Sequence, residues 1–161
     1  MNVVVVDDAQ VNLVLMSALL GKLPDCTPSC FLSPSEALEH CLSEDPDLVI
    51  VDYMMPDMDG IEFIQRFRAH PARTQTPLLM VTADHEREVR YRALESGAND
   101  FLTKPLDRIE FTSRVKNMLS LRRSQVALAD HARTLADEVR HATAEIFERE
   151  RETLNKLARA A

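Results

Sequence analysis

Five short apolar runs, each bounded by turn residues and each followed by a stretch of helical period, constrain this chain more than any other feature. The runs are residues 3–6, 30–32, 48–51, 78–81 and the weaker pair Phe101-Leu102. Between them apolar residues recur three or four apart: Val11, Leu15, Ala18 and Leu19; Ala37, Leu38 and Cys41; Ile61, Ile64 and Phe67; Val89, Ala93 and Leu94. That recurrence marks helices with one buried stripe. Ser33-Pro34-Ser35-Glu36 places an N-cap, a first-turn proline and a reaching-back glutamate in order, the pattern of a capping box. Strands apolar on both faces and joined by helical crossovers require a parallel sheet covered on both sides. The expected fold is therefore α/β, a doubly wound five-stranded parallel sheet.

Breaker residues divide the chain. All 3 glycines and all 8 prolines lie within the first 105 residues, and none follows. The division predicted is a globular domain over 1–120 and a helical segment over 121–161. The chain carries 26 acidic against 19 basic side chains, for a net charge of −7. The segment 121–161 holds 8 basic and 7 acidic residues, so the acidity belongs to the domain. That balance argues against nucleic acid or an anionic membrane as a direct partner. Cys26, Cys30 and Cys41 form no CxxC pair, so reduced, buried thiols are expected rather than a disulfide framework or a zinc site. There is no signal peptide and no apolar stretch of about 18 residues, and a soluble cytoplasmic protein is expected.

The acidic residues concentrate where a ligand would bind. In an open α/β sheet, ligands sit beyond the carboxyl ends of the strands. The first run ends into Asp7-Asp8, the third into Asp52, the fourth into Thr82, and the fifth leads to Lys104-Pro105. Taken singly, an aspartate after a strand is a turn or cap residue. Taken together, with the first and third strands adjacent, three carboxylates converge opposite a hydroxyl and an ammonium group. Such carboxylates repel one another unless a cation joins them, and Mg²⁺ suits a site of oxygen ligands. The chemistry favoured is attack of an aspartate on a phosphoryl group, with lysine, threonine and metal neutralising the equatorial oxygens.

The Asp7-Asp8 pair, the run DYMMPDMDG over 52–60, Thr82-Ala83 thirty residues after Asp52, and Lys104-Pro105 together resemble the receiver domain of bacterial two-component response regulators. The resemblance implies a flavodoxin-like strand order of 2-1-3-4-5 and a phosphoryl group taken from a sensor histidine kinase. It implies Asp52 as phosphoacceptor, with Mg²⁺ held by Asp8, Asp52 and the Met54 carbonyl and assisted through water by Asp7. Thr82 and Lys104 would hold the phosphoryl group, and the Lys104-Pro105 bond would be cis. Phe101 falls at the family's switch-aromatic position and, with Thr82, would pass the change to the fourth helix, fifth strand and fifth helix. Met54 and Asp84 would flank the water path to the phosphoryl group; an apolar Met54 cannot orient water, so slow self-dephosphorylation is expected.

Other signals carry less. Glu36-Ala37-Leu38 and Asp57-Met58-Asp59 imitate short signatures of unrelated phosphodiesterases and phosphatases without the surrounding context, and His131 and His141 read as solvated surface. After Asp107, a plausible helix cap, no breaker interrupts about 50 residues, or about 80 Å of helix at 1.5 Å per residue. A heptad seam runs through Leu121, Leu128, Leu135 and Ala142 at one position and Gln125, Ala132, Val139 and Ile146 at the other. It fails at Arg149 and Thr153 and resumes through Leu154, Leu157 and Ala161 after a stutter. The expected consequence is a long C-terminal coiled-coil helix pairing a homodimer through residues 121–147. Its wording resembles the linker ahead of HD-GYP cyclic-di-GMP phosphodiesterase domains, and the expectation is a fragment that stops before such an output domain. On its own residues the chain is then a phosphoacceptor rather than an enzyme. Two alternatives stand beside this reading: a free-standing receiver acting as phosphate shuttle or scaffold, and an aspartate-dependent phosphatase.

Overall fold

The computed structural model describes residues 1–83 and 87–160, so Asp84 and Ala161 lie outside the described residues. Five strands, β1 (Asn2–Val6), β2 (Thr27–Phe31), β3 (Leu48–Asp52), β4 (Leu78–Thr82) and β5 (Asp100–Thr103), form one sheet in the order β2-β1-β3-β4-β5. All four pairings are parallel. The helices are α1 (Gln10–Leu20), α2 (Pro34–Ser43), α3 (Gly60–Arg68), α4 (Arg87–Glu95) and α5 (Arg108–Ala160). The flavodoxin-like order expected for the sheet is the one observed.

Strand residues alternate between two separate cores. Val4, Val6, Val49, Val51, Leu78 and Met80 pack with Ala37 and Cys41 of α2, Phe63 and Phe67 of α3, and Val89 and Ala93 of α4. Val3, Val5, Ile50, Leu79, Val81 and Leu102 pack on the other face with Leu13 and Met16 of α1 and Phe111 and Val115 of α5. This explains why β1, β3 and β4 read as unbroken apolar runs: both faces are covered.

The helix starts follow their caps. Ser33 Oγ accepts from the Glu36 backbone N–H, Asp59 Oδ1 accepts from that of Glu62 at 2.8 Å, and Asp107 Oδ1 from that of Glu110 at 2.8 Å. Asp59 therefore serves as the N-cap of α3. The buried guanidinium of Arg73 donates to the carbonyls of Cys41, Leu42 and Glu44 and to Asp45, closing the carboxyl end of α2.

Three expectations need correction. The inward stripe of α1 is Leu13, Met16, Leu19 and Leu20, while Val11, Leu15 and Ala18 are exposed. This helix is apolar around most of its circumference, so periodicity does not choose a face. On α4, Val89 and Ala93 are buried but Leu94 is exposed. Of the thiols, only Cys41 is buried; Cys26 is half-buried and Cys30 exposed, because β2 is an edge strand that begins earlier than its apolar run and has less cover.

The chain divides into two compact units, Met1–Arg122 and Arg123–Ala161. The second is helical, and Leu128, Leu135, Val139, Ile146, Phe147, Leu154 and Leu157 all stand exposed on it. Among the described residues no helix is long and apolar enough to cross a membrane.

Candidate functional site

Register builds the site. Val6 of β1 pairs with Val51 of β3, so the residues that follow, Asp7 and Asp52, emerge side by side. Asp52 in turn pairs with Val81, and Thr82 with Thr103, which brings Thr82 and Lys104 to the same edge. The Lys104 backbone N–H donates to the Thr82 carbonyl at 2.8 Å, and the Lys104-Pro105 peptide is cis. One carboxylate oxygen from each of Asp7, Asp8 and Asp52 lies within 4.8 Å of the others. Asp7 and Asp52 are buried, and Asp8 is exposed.

Lys104 ties two of the three together. Its Nζ lies 2.6 Å from Asp52 Oδ1 and 2.9 Å from Asp7 Oδ2. Burial pushes the Asp52 carboxyl above the ordinary carboxylate value; Lys104 pulls it back, and Asp7 and Asp8 push it further up. Burial also works to lower the Lys104 ammonium, but its hydrogen bonds to Asp52 and Asp7 prevail and raise it. Among the described residues one cation stands against three carboxylates, which leaves an excess of negative charge at a partly desolvated place. An oxygen-only donor set with that excess fits a hard divalent cation such as Mg²⁺.

The β3–α3 loop is pinned directly against this place. Gly60 donates its N–H to the Tyr53 carbonyl at 2.8 Å, and a Cβ at Gly60 would stand 2.5 Å from the Asp52 carbonyl oxygen. Only glycine permits that approach. Met54 projects from the loop with its side chain largely exposed. Thr82 is fully buried at the end of β4. Phe101 is partly buried against the core, and the Arg90 guanidinium of α4 lies 5.0 Å from its ring centroid.

All seven site residues read from the sequence therefore occupy the carboxyl edge of the sheet or the strand next to it. Asn12 was missed. Its Nδ2 lies 2.9 Å from both oxygens of Asp7, and the only available signal was an amide residue in the first turn of the helix following the aspartate pair.

The response regulator receiver domain family matches residues 3–116. The chain belongs to that family. As a receiver it is similar to the cyclic di-GMP phosphodiesterase response regulator RpfG of Xanthomonas campestris, with 35% identity over 161 residues, 99% of this chain and 43% of that protein. It is also similar to the response regulator PleD of Caulobacter vibrioides, with 34% identity over 116 residues, 72% of this chain and 25% of that protein. The chain thus spans less than half the length of either relative. Among solved structures, the Francisella response regulator 1452 receiver domain matches with a TM-score of 0.68 and 26% identity, over 74% of this chain and 96% of that one.

Proposed function

We propose that this receiver accepts a phosphoryl group on Asp52 from the phosphohistidine of a partner kinase in the cytoplasm. The observation that carries the reading is the Lys104 ammonium held between Asp52 and Asp7, with Asp8 completing a three-carboxylate cluster. In the transfer, the nitrogen–phosphorus bond of the donor breaks as an oxygen–phosphorus bond to Asp52 forms. Lys104 and Thr82 take positions beside the equatorial phosphoryl oxygens, where opposite charge and hydrogen bonding count most as charge is redistributed. Asp8, Asp52 and the Met54 carbonyl, assisted through water by Asp7, would hold Mg²⁺, which would supply further neutralisation of the phosphoryl charge. Met54 offers no polar group to an attacking water, which favours a long-lived acyl phosphate.

The phosphorylated state is passed on through Thr82 and Phe101 to α4, β5 and α5. Residues 121–147 of α5 pair with a second copy, and the output is a cyclic-di-GMP phosphodiesterase activity. The exposed leucines of that segment support the pairing, and similarity to RpfG along 99% of this chain supports the output. The full chain treated with Mg²⁺ and acetyl phosphate should gain one phosphoryl group, located to Asp52 by mass spectrometry. Asp52→Ala should gain none, and an undiminished adduct in that variant rejects the assignment.

A further inference from the structure

Asp7 is fully buried, and both of its oxygens accept hydrogen bonds from the chain itself. Oδ1 accepts from the Ala9 backbone N–H at 2.9 Å and from Asn12 Nδ2 at 2.9 Å. Oδ2 accepts from the same Nδ2 at 2.9 Å and from Lys104 Nζ at 2.9 Å. Three donor groups, the Ala9 N–H, the Asn12 amide and the Lys104 ammonium, therefore hold this carboxylate. The Asn12 amide is the neutral donor that reaches both oxygens. It sits in the first turn of α1, where the Asn12 N–H donates to the Ala9 carbonyl at 3.0 Å and fixes the backbone that carries it.

Lys104 is shared, and the place of its nitrogen between the two carboxylates depends on how strongly each draws it. Its single ammonium serves Asp52 at 2.6 Å and Asp7 at 2.9 Å. A buried carboxylate short of donors draws the nearest cation more strongly, because an unmet acceptor in a desolvated place is unfavourable. With its amide contacts intact, Asp7 leaves the ammonium closer to Asp52. We propose that Asn12 is a positioning residue for phosphoryl transfer: by satisfying both oxygens of Asp7, it leaves Lys104 poised on Asp52. The inference rests on the reading of Asp52 as phosphoacceptor but concerns a residue that never touches the phosphoryl group. Leucine at position 12 would match the size and remove the donor.

Two measurements on the full chain test this separately. The first is NMR of the unphosphorylated protein, reading the hydrogen-bond scalar coupling between Lys104 Nζ and the carboxyl carbons of Asp52 and Asp7. Asn12→Leu should lose the coupling to Asp52 and keep that to Asp7, and an unchanged Asp52 coupling overturns the proposal. The second is labelling by acetyl phosphate across a Mg²⁺ titration. The rate at saturating Mg²⁺ should fall about tenfold in Asn12→Leu, a change expected of a small misplacement of a reacting group. The half-saturating Mg²⁺ concentration should move less than about threefold, and Asn12→Gln, which keeps the amide, should recover part of the rate. An undiminished rate, or a loss confined to Mg²⁺ affinity, overturns the proposal. Should Asn12→Leu fail to fold, Asn12→Ser, with one hydroxyl donor, replaces it and should fall between leucine and wild type in both readings. Absence of labelling in the wild type would instead reject the Asp52 reading, and the coupling measurement then decides Asn12 by itself.

Discussion

Phe67 and Leu128 are both large apolar residues on helices, yet the first is fully buried and the second is 70% exposed. Phe67 belongs to a unit in which two cores flank one sheet and every residue of β3 and β4 is buried. Leu128 belongs to a unit whose described residues form a single helix. The contrast teaches that the same residue types do different work in the two units. In residues 1–122 apolar side chains stabilise the chain's own fold, whereas in residues 123–160 they stand exposed along a helix, where the proposed pairing with a second copy would cover them. A long helix with a wet apolar stripe is a surface awaiting a partner.

The sharpest way to break that contrast is to truncate one residue in each unit. Phe67→Ala should destabilise the receiver by about 3–5 kcal/mol, the usual loss on emptying a buried aromatic site. Leu128→Ala should stay within about 0.5 kcal/mol in denaturant titrations run below the concentration of self-association. Comparable losses at both positions would mean that the second unit is already covered.

Charging the seam sharpens it further. Leu128→Asp with Leu135→Asp should leave receiver stability intact while raising the dimer dissociation constant by about 100-fold or more. Each leucine buried from both chains contributes about 1.5–3 kcal/mol per side chain before the entropy of association is subtracted. Sedimentation equilibrium of the full chain, wild type beside variant, reads this directly. A wild type that is monomeric at micromolar concentration refutes the pairing.

The smallest effect separates the units by pH. Because the Asp52 carboxyl is raised in the folded receiver, the folded state holds more protons than the unfolded one just above the ordinary carboxylate value. Stability therefore falls as pH rises through that window and stays lower above it. Asp52→Asn should flatten the fall in metal-free solution. Lys104 behaves oppositely in position: its raised ammonium contributes stability that is fully present below its unfolded value and is lost as pH rises through the folded one. Thermal melts from acid to strongly alkaline pH should show both limbs in the receiver transition and neither in the self-association of the helix.

Most of the receiver was legible because β1, β3 and β4 are apolar on both faces, and β1, β3 and β5 run into Asp7, Asp52 and Lys104. Asp7, Asp52, Thr82 and Lys104 could be placed at one edge from strand ends alone, since parallel register carries neighbouring ends together. The face of α1 was not legible: with Val11, Leu13, Val14, Leu15, Met16, Leu19 and Leu20 in eleven residues, apolar spacing fits several faces. Asn12 escaped for a different reason. Its importance lies in reaching back five residues to a buried carboxylate, and no periodic pattern records a single polar contact. Cys30 was misread because an edge strand can carry an apolar run without being covered on both sides.

The contact between Gly60 and the backbone of Asp52 has a mechanical consequence. The segment from Tyr53 to Gly60 closes on itself through the 2.8 Å hydrogen bond between its two ends, while the Asp52 carbonyl presses where a side chain would otherwise stand. A ring closed that tightly has a fixed circumference. Lengthening or shortening it by one residue would have to be absorbed at Asp52 itself, and a push on Asp52 would be felt at the first turn of α3 with little slack between. The loop is less a slack connector than a bezel, closed by its own hydrogen bond directly beside the Asp52 backbone.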